Sequence, residues 1–299
     1  MINPFKGQNF LLFDAGTPLA RPFYSFNILK LKNRYSQYLN NNMMKNGRAM
    51  NDISIPIQSS TDKPDQLTVN VWRGGDDGHF DQFIIPAREN QTILDVVSEI
   101  QQRHDASLSY RFACRVGVCG SCAMTVNGRA RWTCRTHVRS LKSDTITIEP
   151  LSNMPKIKDL AADLSPFIDK WGAAGSGFKS DATRHDAPAK IDPNSKKRKA
   201  ANDAIECINC GVCHASCDVV KWNDDYLGPA ALNRAWALVN DERHTGMVET
   251  LEAALGSGGC SNCHSQGNCM SACPIGLSPT RSIAGLKKLS LLAMLGVKP

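Results

Sequence analysis

The chain has 299 residues, 42% of them apolar, and a formal net charge of +7. That length allows about two domains at the usual ~100–200 residues each. No run approaches the roughly 18 consecutive apolar residues of a membrane span, the nearest being the short stretch from Leu289 to Leu295. The charge gives little support to a nucleic-acid partner, because residues 1–51 set seven basic residues against the single acid Asp14 and so carry +6 of the +7.

Residues 1–60 read as a disordered or dispensable N-terminal extension, rich in Asn, without an amphipathic repeat and with Met43, Met44 and Met50 inside it. A tail, a mitochondrial transit peptide and a start placed upstream of a true start at Met50 all fit this acid-poor composition.

Residues 65–165 read as a small α/β unit. Leu67, Val69 and Val71 alternate with polar residues as in a half-buried strand, and Phe80–Ile85 offers a second strand after the turn at Gly74–Gly78. Thr92 opens a helix, with Asp95 three residues on and Ile93, Val96, Val97 and Ile100 along one face. A cysteine-rich loop follows, then a strand over Ala123–Val126 leading into Asn127-Gly128, a strong hairpin-turn pair, and a last strand over Thr145–Glu149. The order suits a β-grasp domain with a cofactor loop at one edge.

Residues 166–199 read as a linker, small around Gly172–Gly177 and closing on the run Lys196, Lys197, Arg198, Lys199. Such a run is more often a solvated face or a contact to an acidic partner than a nucleic-acid patch. Residues 200–299 are mostly helical: Pro229 suits a first helical turn before Leu232, Ala235, Trp236 and Val239. Ser278-Pro279 opens a last helix with Ile283, Leu286, Leu289 and Ala293 as its apolar stripe. The fold class is α+β, an N-terminal β-grasp domain followed by an all-α helical domain.

Twelve cysteines fall into three sets: Cys114, Cys119, Cys122, Cys134; Cys207, Cys210, Cys213, Cys217; and Cys260, Cys263, Cys269, Cys273. The first set has the Cys-x4-Cys-x2-Cys…Cys spacing of a plant-type [2Fe–2S] loop, with Gly117 and Gly120 free to curl the backbone so that amides face the sulfides. Zinc would prefer two separate Cys-x2-4-Cys knuckles. The second set is the bacterial Cys-x2-Cys-x2-Cys-x3-Cys run, in which the fourth cysteine serves the other cluster. Crossing over gives Cys207, Cys210, Cys213 and Cys273 to a [4Fe–4S] cluster and leaves Cys217, Cys263 and Cys269 for the last. Three cysteines without a fourth make a [3Fe–4S] cluster; ligation by Cys260 would make it [4Fe–4S].

Six segments in order resemble the iron–sulfur subunit of succinate dehydrogenase and fumarate reductase, the complex II family: 113–122 (ACRVGVCGSC), 148–151 (IEPL), 157–160 (IKDL), 207–213 (CINCGVC), 226–230 (YLGPA) and 273–281 (CPIGLSPTR). The resemblance implies an electron-transfer subunit between the FAD of a flavoprotein and a membrane quinone, ubiquinone or menaquinone. It also implies a membrane-anchor partner, no nucleic acid, and a peripheral place on the inner membrane, at the cytoplasmic face in a bacterium or the matrix face in a mitochondrion. The dicarboxylate would react on another subunit. By position, Trp222 corresponds to the family tryptophan that hydrogen-bonds the quinone, and His264 to a histidine near the last cluster. Asp218 departs from the family proline, and Gln266 stands at the vacant corner of the three-iron cluster. A paralogous complex for another carboxylate and a zinc-stabilised binding protein are the competing readings.

Overall fold

The structure, a computed structural model, describes residues 66–294. The extension expected over residues 1–60 lies outside that range.

Strand β1 (Gln66–Arg73) pairs antiparallel with β2 (His79–Pro86) and parallel with β5 (Thr145–Glu149). Strand β3 (Ala123–Val126) pairs antiparallel with both β5 and β4 (Arg129–Trp132), giving the order β2-β1-β5-β3-β4. The β3–β4 turn is Asn127-Gly128, both left-handed at φ 49° and 71°. That is the two-residue turn whose twist matches the flanking strands.

Helix α1 (Ile93–Arg103) lies on this sheet. Thr92 accepts the Asp95 amide at 3.2 Å while the Asp95 carboxylate accepts the Thr92 amide at 3.0 Å, a complete capping box. Ile93, Val96, Val97 and Ile100 are fully buried with Val69, Val71, Ile146 and Ile148 in the main core. Each such side chain contributes ~1.5–3 kcal/mol by leaving water, so the two periodicities specify the packing.

A short hairpin, β6 (Lys156–Lys158) and β7 (Ala161–Ala162), is pinned back onto the sheet by Asp159. The Asp159 carboxylate accepts the amides of Gly74 and Ser109, both at 2.8 Å, and Nε of Arg73 at 3.2 Å. Burial pushes this carboxyl's pKa up, but those three donors outweigh it and hold the group below the ordinary carboxylate range.

Beyond Ala162 the described residues form helices and turns: α2 (Ser165–Ala173), α3 (Lys196–Ile205), α4 (Val212–Ala215), α5 (Asp218–Trp222), α6 (Pro229–Val239), α7 (Met247–Leu255), α8 (Asn268–Ala272) and α9 (Pro279–Met294). Pro229 occupies the first turn of α6, and Leu232, Ala235 and Val239 are buried against Ile283 and Leu286 of α9. Gly285 permits this approach, since a Cβ there would stand 2.4 Å from the Trp236 ring.

The basic run is the first turn of α3, capped by Ser195, whose hydroxyl accepts the Arg198 amide at 3.0 Å. Lys196, Lys197 and Lys199 are exposed, as a solvated face requires. Arg198 is not: it is buried and meets the buried Asp241 carboxylate at 3.4 Å. Cations at a helix N-terminus oppose the dipole, and the Asp241 pairing offsets that at Arg198. No described helix is long and apolar enough to cross a membrane.

Candidate functional site

The first cysteine loop bends through three left-handed residues, Arg115 (φ 57°), Gly117 (φ 76°) and Gly120 (φ 72°). This turns backbone amides toward the sulfurs: Val118 N–H lies 3.4 Å from Cys114 Sγ, and Cys114 N–H lies 3.5 Å from Cys119 Sγ. The Val118 and Val116 amides hold the Cys114 thiol at about 6. Such a surround stabilises negative charge on sulfur. Cys134 arrives from the turn after β4, tied to Cys122 by the Thr133 hydroxyl, which donates to the Cys122 carbonyl at 2.7 Å. Burial, then the neighbouring Cys122, pushes the Cys134 thiol up to about 11. The loop brings all four cysteines to one edge of the sheet and leaves Val116 and Val118 exposed at its tip.

Cys207, Cys210, Cys213 and Cys273 line one enclosed gap walled by Ile208 and Pro274. Asn209 (φ 53°) and Gly211 (φ 76°) make the alternate turns that aim the three cysteines of the run inward. Cys273 closes the end of α8. Burial pushes the Cys207, Cys210 and Cys213 thiols up, which disfavours free thiolates.

Cys217, Cys263 and Cys269 line a second gap together with Tyr226, His264, Gln266 and Thr280. Ser265 N–H lies 3.4 Å from Cys263 Sγ, and Thr280 Oγ1 lies 3.3 Å from Cys269 Sγ. Cys260 does not line this gap: it opens a short 3-10 turn and is buried in the neighbouring hydrophobic core with Tyr226, Val220 and Leu286, against which Cys217 and Cys263 also pack. Gln266 and His264 are both exposed, and Trp222 stands at the end of α5 with 63% of its surface exposed.

Two features were hidden from the sequence. The Asn153 side-chain amide donates to the carbonyls of His214, Ala215 and Cys217 at 3.0–3.1 Å, capping α4 between the two gaps. Asp218 accepts from the Asn268 amide at 3.0 Å, so the residue that replaces the expected proline ties the two cysteine runs together.

Among the described residues no three His, Cys, Asp or Glu side chains converge closely enough for one metal ion. Thiolates around a single zinc at about 2.3 Å would stand roughly 3.8 Å apart. Cysteine sets with backbone amides facing their sulfurs fit iron–sulfur clusters.

Comparison with known proteins agrees. The 2Fe-2S iron-sulfur cluster binding domain family matches residues 67–169, and the 4Fe-4S dicluster domain family matches residues 206–278. The fold and its cysteine sets thus define a two-domain ferredoxin-type protein carrying 2Fe–2S and 4Fe–4S centres.

Over 206 residues the chain is 39% identical to the mitochondrial succinate dehydrogenase [ubiquinone] iron-sulfur subunit 1 of Oryza sativa subsp. japonica, covering 67% of this chain and 72% of that one. It is 32% identical over 212 residues to the fumarate reductase iron-sulfur subunit of Mycobacterium tuberculosis, covering 70% and 84%. Among solved structures it superposes on a chain of the Mycobacterium smegmatis Sdh1 complex in the apo form with a TM-score of 0.66 and 25% identity, covering 75% of this chain and 95% of that one. The chain belongs to the succinate dehydrogenase/fumarate reductase iron–sulfur subunit family.

Proposed function

We propose that the chain passes electrons between the FAD of a flavoprotein partner and a membrane quinone within a succinate:quinone oxidoreductase. Bound iron–sulfur clusters supply one-electron acceptors of graded potential. Cys114, Cys119, Cys122 and Cys134 would hold the [2Fe–2S] cluster, and Cys207, Cys210, Cys213 and Cys273 the [4Fe–4S] cluster. Cys217, Cys263 and Cys269 would hold a [3Fe–4S] cluster.

The observation that carries this reading is the regrouping of the second and third cysteine sets. Cys273 lies with Cys207, Cys210 and Cys213, while Cys217 lies with Cys263 and Cys269. A glutamine, not a fourth sulfur, shares the last gap, and amide oxygen is a poor ligand for iron in a sulfide cluster.

The chain's own residues do the rest. Amides of Val118 and Ser265 face the sulfurs of Cys114 and Cys263 and would stabilise negative charge added to the clusters those cysteines hold. The exposed Val116 and Val118 offer an apolar tip for a flavoprotein partner, and the exposed Trp222 offers an indole N–H for quinone. A membrane anchor beside Trp222 would put this end of the subunit at an inner-membrane surface, with the flavoprotein beside the first loop.

Succinate addition tests the assignment. In the assembled complex it should reduce the [2Fe–2S] centre, seen by EPR, and should fail to do so when the flavoprotein is omitted. Reduction by a different carboxylate and not by succinate would assign the chain to a paralogous complex.

A further inference from the structure

Trp132 ends β4 two residues before Cys134 and is 8% exposed. One edge of its ring lies on the first cysteine loop, where a Cβ at Gly117 would stand 3.0 Å from Trp132 Cζ3. It shares one apolar cluster with Cys122 and Cys134 of the first half and with Val212 and the partly buried Cys210 of the second. The indole Nε1 is fully buried and completes no hydrogen bond of ordinary geometry, while the sulfur it faces is that of Cys210.

A buried N–H without a partner carries its full desolvation penalty, and a leucine or phenylalanine would fill the same apolar space without that loss. A thiol sulfur is a weak acceptor, whereas a thiolate is charged and draws a donor in.

We infer that Trp132 is a positioning residue spanning the first two cluster sites, whose indole N–H donates to the ligating sulfur of Cys210. Each added electron increases the negative charge on cluster sulfurs, so this donor stabilises the reduced state more than the oxidised one and raises the potential. Gly117 holds the ring from behind and fixes the donor's direction. The effect is directed at the cluster held by Cys210 and leaves the other two as they are. The inference rests on the proposed ligand role of Cys210.

The test is an EPR-monitored redox titration of Trp132→Phe in the assembled, cluster-loaded complex. An aromatic ring is kept and the donor removed, so the [4Fe–4S] midpoint should move to lower potential while the [2Fe–2S] and [3Fe–4S] midpoints and the iron content stay unchanged. In wild-type protein labelled with ¹⁵N at the tryptophan indole, ENDOR on the reduced [4Fe–4S] signal should show a ¹⁵N coupling that Trp132→Phe removes. An unmoved midpoint with clusters retained would overturn the inference. So would absence of the ¹⁵N coupling from wild type, which decides the matter even if Trp132→Phe loses its clusters. Cys210→Ser separates this from the underlying reading. If Cys210→Ser alters the [4Fe–4S] signal, the ligand role stands and only the Trp132 results bear on the inference. If it leaves the signal unchanged, the ligand role falls and the inference falls with it.

Discussion

Gly120 of the first cysteine loop rests directly on Cys210 of the second half: a Cβ at Gly120 would come within 2.5 Å of Cys210 Cβ and 2.8 Å of its Cα. The glycine is also left-handed, at φ 72°. The contact joins two loops distant in sequence with no room for a methyl group.

Gly120→Ala therefore meets two penalties, ~1–2 kcal/mol for a left-handed residue with a Cβ and ~1–3 kcal/mol for overpacking. Gly128→Ala is the matched control, since Gly128 has φ 71° but nothing within 4 Å of the added Cβ. Urea unfolding should show a loss for Gly120→Ala well above that for Gly128→Ala. Equal losses would mean that the Cys210 contact does not constrain the loop.

Asp159 should give the fold an acid-sensitive anchor. Its folded pKa lies below the ordinary value despite burial, because Gly74, Ser109 and Arg73 donate to it. The unfolded chain therefore takes up the proton first as pH falls. The contribution is complete above the unfolded value near ~4 and is lost as pH drops through the lower folded value. Asp159→Asn removes one carboxylate while Arg73 keeps Asp81 and Asp105, and should cost ~1.5–3 kcal/mol at neutral pH, the weight of hydrogen bonds to a charged group. Urea unfolding from pH 7 to 3 should show that this difference shrinks toward the acid end.

The basic run should split when its members are changed singly. Arg198→Ala removes a buried partner of Asp241 and should destabilise by ~2–4 kcal/mol. Lys197→Ala, on the exposed side of the same turn, should stay within ~0.5 kcal/mol. Thermal or urea unfolding of the pair checks this, and equal small effects would restore a wholly solvated run.

Trp222→Leu should separate two activities of the assembled complex. Quinone reduction should fall by about tenfold or more, the loss of one hydrogen bond to a bound ligand. Succinate-driven reduction of a soluble dye that takes electrons before the quinone should be unaffected. Parallel loss of both would place the defect in assembly instead of at Trp222.

The local signals in the sequence were the readable ones. Thr92 and Asp95 are three residues apart, Asn127 and Gly128 are adjacent, and the cysteine spacings are short, so each reports its structure within a few residues. The exchange of Cys217 and Cys273 is an expectation from the bacterial ferredoxin spacing; Cys273 lines a gap with Cys207, Cys210 and Cys213, and Cys217 lines another with Cys263 and Cys269. What could not be read were contacts closed by distant chain: Arg73 with Asp159 across 86 residues, Arg198 with Asp241 across 43, and Asn153 beneath the α4 carbonyls. Nothing in the run 196–199 marks its third residue as the buried one; only the packing of α3 on α6 does so.

In the proposed function eleven cysteines hold three different clusters and Cys260 holds none. Counting iron and acid-labile sulfide on the air-oxidised, fully loaded protein while recording its EPR spectrum tests this directly, with Cys260→Ser alongside. About nine irons per chain are expected, from one two-iron, one four-iron and one three-iron centre. A near-isotropic three-iron signal that Cys260→Ser leaves intact is expected with them. A fully loaded protein lacking that signal, or one that gains it only when Cys260 is replaced, would overturn the three-cluster assignment.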